Sequence, residues 1–272
     1  MLLLLSPAKS LDYESPLPEP VLAARAALKP AATAPQYAAQ AAELIATLRT
    51  KTVDDIAGLM DLSEDLARLN ARRYKAWSTR ATERNSRPAM WAFDGDVYDG
   101  LRACTLSGDE IAWAQQHVLM LSGLYGVLRP LDRLQPYRLE MGTRLATERG
   151  DSLYAWWGDT VAAHLNRLQA REHEPVVVNL ASQEYFKVTQ AKVGREKVLR
   201  ARVVECVFED WKDGHWKIIS FFAKRARGMM ARHAIEQRAR TPEALVDFHA
   251  DGYRFAARAS APDRLVFRRR QP

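Results

Sequence analysis

Cysteine is nearly missing from this chain: Cys104 and Cys206 are the only two in 272 residues. They match no metal-binding or redox spacing, so both are expected to be reduced, buried thiols, and a disulfide-stapled secreted scaffold is excluded. Long apolar runs are missing too. Nothing approaches the ~20 uninterrupted apolar residues of a membrane helix. The apolar start "MLLLL" is too short for a signal-peptide core and has no basic flank. The expected location is therefore the cytoplasm, with no membrane partner. Histidines are scattered at His117, His164, His173, His215, His233 and His249. No H-x-x-x-H or H-E-x-x-H occurs, which argues against zinc, and no two-His-one-carboxylate spacing suggests bound iron. Ser182 lies outside any G-x-S-x-G elbow, so serine nucleophile chemistry is not expected. No 20–50-residue repeat is present. The sequence calls for no metal and no cofactor.

What is present suits one sizeable core: 47% of residues are hydrophobic and 27% charged. The net charge is +7, and it is unevenly spread. From Lys187 onward there are 20 Lys and Arg against 10 Asp and Glu, while the preceding segment has 20 against 23. Such asymmetry favours an anionic polymer or ligand as partner.

Short apolar runs predict strands at Leu2–Leu5, Val118–Leu121, Val176–Leu180, Val203–Phe208, Trp216–Phe221, Tyr253–Ala257 and Leu265–Phe267. Helices are expected over Pro20–Leu28, Pro35–Arg49, Asp54–Leu59, Glu64–Thr79, Asp109–Gln116, Leu153–Gln169, Gln183–Gln190, Ala223–Arg238 and Pro242–His249. Thr52 and Asp151 are candidate N-caps. The Pro/Ala-rich stretch Ser15–Pro35 is the best linker candidate, but no clear domain boundary appears. The expected fold class is α+β, a mixed α/β arrangement in one domain spanning residues 1–272.

"LLLLSPAKS", "VLMLSGLYG" and "VVVNLASQEYFK" each run apolar and then turn polar at a Ser. Parallel strands that end this way would share one crevice at their carboxyl ends. An ordinary turn explains the pattern equally well. Candidate groups for such a crevice are Lys9, Asp94, Asp96, Arg138, Glu140, Ser182, Glu184 and Lys187. Lys9 or Lys187 would orient a phosphate, and Asp96 or Glu184 would act as general base. Asp94, Asp96 and Asp99 in "AFDGDVYDG" read either as a self-capping turn or as a divalent-metal loop. In "LSGLYGVLRPLDRLQPYRLEMGT", Tyr125 and Tyr137 suit base stacking, whereas Arg129 and Arg138 suit either phosphate or bracing by Asp132 and Glu140.

The stretch "IISFFAKRARGMMARHAIEQRAR" carries one Lys and five Arg. At 100° per residue, Phe222, Ala226, Met229 and Met230 share one side. Lys224, Arg225, Arg227, Arg232 and Arg238 share the other, with Gly228 and Ala231 among them. Glu236 is the sole acid near this arc. A one-sided, nearly unpaired basic face favours phosphate contact over a simple solvated face, with the small residues admitting a close approach. "TVDDIAGLMDLSEDLARLNARRYKAW" reads as two helices joined at "LMDL", the second carrying Arg72, Arg73 and Lys75.

Together, "LSPAKSLD", "AFDGDVYDGL", "LSGLYGVLRPLDRLQPYRLEMGT", "LYAWWGD", "VVNLASQEYFK" and "KIISFFAKRARGMMAR" make the chain resemble the YaaA family of peroxide-stress-resistance proteins over nearly its whole length. The resemblance implies a cytoplasmic bacterial protein that protects DNA from hydrogen peroxide and limits free iron. It also implies a single-domain mixed α/β fold of unusual topology with a positively charged cleft. A helix–hairpin–helix element is implied at Thr52–Trp77, with binding to duplex or branched DNA. It implies no catalytic residue. Two functions remain open at this point: a DNA-binding stress protein, and an enzyme acting on a nucleotide or nucleic acid in the crevice.

Overall fold

A computed structural model describes residues 1–270. Among them, eleven α-helices and one mixed eight-stranded sheet form an α+β fold. The strands are β1 (Leu2–Leu5), β2 (Val118–Ser122), β3 (Gly126–Leu128), β4 (Val176–Leu180), β5 (Arg202–Lys212), β6 (His215–Lys217), β7 (Arg254–Phe255) and β8 (Arg264–Arg269). Their spatial order is β7-β8-β5-β4-β1-β2-β3, with β6 paired on β5. From β8 to β2 the strands run parallel, and β3, β6 and β7 are antiparallel additions. Every residue of β1, β2 and β4 is buried, as expected of central parallel strands covered on both faces.

The helices are α1 (Glu19–Ala27), α2 (Ala38–Arg49), α3 (Val53–Met60), α4 (Glu64–Ala76), α5 (Ala89–Ala92), α6 (Asp96–Leu101), α7 (Gly108–His117), α8 (Leu153–Trp157), α9 (Thr160–Leu168), α10 (Gln183–Phe186) and α11 (Ser220–Glu236). Thr52 forms a capping box with Asp55 at the start of α3, which satisfies two otherwise free backbone N–H groups.

Several expectations need correcting. Trp216–Phe221 is not one strand: β6 ends at Lys217, and α11 already begins at Ser220. Leu153–Gln169 is two helices, broken at Gly158, whose φ of 49° leaves helical geometry. Ser152 caps the first of them, rather than Asp151. Pro242–His249 contains only a 3-10 turn at Pro242–Leu245. Ser15–Pro35 is no linker, because Val21 of α1 is buried and the Thr33 hydroxyl donates to the Asp132 carboxylate at 2.6 Å. Tyr125 and Tyr137 are core residues, not a stacking platform. The Tyr125 hydroxyl accepts from the Trp77 indole at 2.9 Å, and the Tyr137 hydroxyl bonds Ser122 at 2.6 Å. Arg129 braces the same loop through Asp132 at 3.0 Å.

One contact places the functional surface. Helix α11 crosses α6 at very short range: a Cβ on Gly228 would lie 1.7 Å from the Val97 carbonyl oxygen, and one on Gly100 2.1 Å from that of Arg225. The small residues in the basic arc therefore admit a neighbouring helix, not a phosphate.

Candidate functional site

The parallel strands β1 and β4 end beside a cavity of about 430 Å³. Four segments distant in sequence form its wall: Ser6–Ser10 after β1, Asp94–Tyr98 leading into α6, Ser182 to Tyr185 after β4, and Lys224 with Arg227 of α11. Hydroxyl groups tie these segments together. Ser6 Oγ accepts the Ser182 N–H at 2.8 Å, and the Tyr98 hydroxyl donates to the Ser6 carbonyl at 3.1 Å. Burial raises the phenols of Tyr98 and Tyr185 well above the usual range, so both stay neutral.

Of the crevice residues expected from sequence, Lys9, Asp94, Asp96, Ser182 and Glu184 line this cavity. Arg138 and Glu140 stand one step behind it. Glu140 bonds the Lys9 ammonium at 3.0 Å and the Arg138 guanidinium at 2.8 Å. Glu184 accepts the Gly142 N–H at 3.0 Å. Lys187 does not line the cavity; its ammonium sits 4.6 Å over the Tyr154 ring. Ser182 makes no side-chain cap, and its N–H is committed to Ser6.

The basic arc of α11 is split by α6. Lys224 and Arg227 reach the cavity on one side, whereas Arg225 and Arg232 border a second cavity of about 510 Å³ with Asp99 and Glu236. Arg232 is a structural brace. It bonds Glu236 at 2.7 Å, the Thr105 hydroxyl at 2.7 Å and the carbonyls of Leu101 and Arg102. Arg238 approaches Asp109 at 3.6 Å. Arg227 is half-buried, and its Nε is sealed from solvent without a partner. Desolvation lowers its pKa, and Cys206 and Glu205 oppose that only in part.

On α4, Arg72 and Lys75 are exposed, but Arg73 turns inward, where burial lowers its pKa near Tyr13 and Arg138. The α3–α4 connection is three residues long, with Asp61 in the left-handed region at φ 51°. The N–H groups of Asp61 and Leu62 are both spent on the Ala57 carbonyl. A groove of mixed charge beside α3, lined by Lys51, Asp54, Asp55, Gly58, Gly142 and Arg144, adjoins the first cavity through the Gly142–Glu184 contact.

Sequence reasoning missed one cluster. Trp211 and Trp216 lie 5.0 Å apart at the β5–β6 hairpin, with Arg270 stacked 4.5 Å over Trp211 and Arg268 4.9 Å over Trp216. The Asp213-Gly214 pair between the two tryptophans was the available hairpin signal. Among the described residues, no three His, Cys, Asp or Glu side chains converge as a metal-holding group, and no helix is long and apolar enough to cross a membrane.

A largely parallel sheet, a polar cavity where its strands end and a strongly basic C-terminal third define an α+β protein built around a charged crevice. The chain belongs to the peroxide stress protein YaaA family, whose sequence pattern matches residues 1–259. It is 61% identical over 269 residues to a UPF0246 protein of Leptothrix cholodnii, covering 99% of this chain and 98% of that one. It is 59% identical over 272 residues to one from Methylibium petroleiphilum, covering 100% of each. A Bordetella avium relative is 56% identical over 270 residues, with 99% of each covered. Membership supports a role in the response to oxidative stress.

Proposed function

We propose that this chain serves the peroxide-stress response by binding duplex or branched DNA through its phosphates, without sequence preference, and so limits peroxide- and iron-driven damage. The charge distribution carries this reading: 20 basic against 10 acidic residues lie from Lys187 onward. Lys224, Arg225, Arg72 and Lys75 are exposed, and Arg225 meets its nearest acid, Asp251, only at 3.9 Å. Exposed cations gain from releasing the counterions condensed on DNA. Arg73 and Arg232 leave the phosphate-facing set because their guanidinium groups are occupied within the fold. The α3–α4 hairpin contributes through Arg72 and Lys75, since its own amides are already bonded.

Anisotropy titrations of a labelled duplex across a salt series test this. The affinity should fall log-linearly with salt. Replacing Arg72, Lys75 and Arg225 together by Ala should weaken binding roughly tenfold or more at low salt and make the slope shallower by about 2–3, near 0.9 per lost phosphate contact. A triple variant that binds like the parent chain, or an affinity flat with salt, would refute the reading.

A further inference from the structure

The cavity beyond β1 and β4 contains more charge chemistry than a duplex-binding surface requires. Asp94, Asp96 and Glu184 face into it beside Lys9, Lys224 and Arg227. Carboxylates repel a phosphodiester backbone, so this wall is poorly suited to tracking a DNA strand. Its volume of about 430 Å³ falls in the range of small-molecule sites, roughly 300–1,000 Å³.

The pairing pattern is selective. Glu140 is occupied by Lys9 and Arg138, and Glu184 by the Gly142 N–H. Among the described residues, Asp94, Asp96, Lys224 and Arg227 have neither an ion-pair nor a side-chain hydrogen-bond partner, although all four line one cavity. Opposite charges that share a wall without touching leave a gap for a ligand with both an anionic end and hydrogen-bond donors. A guanidinium removed from water without a partner costs free energy, and an arriving anion recovers it. Arg227 is also rigidly held, because the next residue, Gly228, is clamped against the Val97 carbonyl. Lys224 precedes it by about one turn on the same side of α11. Two adjacent cations match the dianion of a phosphomonoester better than the single charge of a diester. Asp94 and Asp96 flank Gly95 on the segment leading into α6. Carboxylates accept hydrogen bonds from ribose hydroxyls in nucleotide sites.

We infer that this cavity binds a ribonucleoside monophosphate, with its phosphate on Arg227 and Lys224 and its ribose hydroxyls on Asp94 and Asp96. The site shares Lys224 with the proposed DNA-binding surface, but the assignment does not rest on that reading.

Calorimetric titration of the full chain with adenosine 5′-monophosphate, in the absence of DNA, tests the assignment. Saturable binding is expected, about fivefold or more tighter than for the 2′-deoxy analogue or for inorganic phosphate, the order of one lost hydrogen bond. Arg227→Gln and Lys224→Gln should each weaken it about tenfold, as loss of a charged hydrogen bond does. Lys224 is exposed, so its variant stays informative even if Arg227→Gln lowers the melting temperature. Asp96→Asn should erase the preference for ribose while leaving duplex affinity unchanged, which separates this site from the DNA surface. Three results would overturn the inference: no saturable binding up to ~10 mM, the limit of weak specific affinity; binding indifferent to both cation variants; or inorganic phosphate binding as tightly as the nucleotide.

Discussion

Arg227 and Arg232 share one helix and do different work. Both fall on the basic arc read from the sequence, yet Arg232 ties α11 to the end of α6, while Arg227 is left unpartnered on a cavity wall. A helical wheel assigns a direction to each side chain, but not what stands in that direction. The same limit applies to Arg73, which turns inward beside the exposed Arg72 and Lys75. Cysteine was half legible. Both thiols are free, but Cys104 is exposed rather than buried, because its short 3-10 turn buries Ala103 instead, whereas complete burial pushes Cys206 up to about 12. Only a thiolate reacts readily with peroxide, so Cys206 should stay reduced when the folded chain is exposed to hydrogen peroxide at neutral pH. Mass mapping of alkylated thiols checks this; oxidation of Cys206 in the native state would show that the site opens.

At the scale of elements, regular pieces were read well where the signal is local. β1, β4 and α3 lie where apolar runs and caps place them. The errors occur where a neighbour overrides local preference. α11 starts inside an expected strand, and the loop "LSGLYGVLRPLDRL" contains a strand, β3, that no local pattern indicated. The α6–α11 crossing gives a sharp prediction. Gly228→Ala would place a methyl group 1.7 Å from a backbone oxygen, and overpacking of that kind costs about 1–3 kcal/mol or more. Gly58→Ala meets nothing within 4 Å inside α3, and replacing a helix-interior Gly there should stabilise by roughly 0.5–1 kcal/mol. Thermal melts of the two variants should therefore shift in opposite directions.

At the scale of the whole molecule, the last strand is integral to the sheet. The family pattern ends at residue 259, but β8 pairs in parallel with β5, and Phe267 stacks on Phe208 with centroids 5.5 Å apart. Arg269 also bonds the fully buried Asp210 at 2.7 Å. Removing Arg269 leaves the buried Asp210 carboxylate with the Tyr253 hydroxyl but without its counter-charge, a loss of about 3–5 kcal/mol. A chain truncated after Ala259 should therefore fail to give the cooperative melt of the full chain in circular dichroism. A truncated chain melting at the same temperature would show that β8 is dispensable.

By itself, the sequence determined most of the regular elements, though not α5, α6 or β3, together with the family and the uneven charge, because apolar periodicity, capping and residue counts are local or additive. Tertiary structure alone decided which charges meet. The cavity wall joins residues 6–10, 94–98, 182–185 and 224–227, segments that only a parallel sheet order and the α6–α11 crossing bring together. Whether an arginine faces solvent, a carboxylate or an empty pocket depends on burial by such distant segments, and no local pattern encodes that.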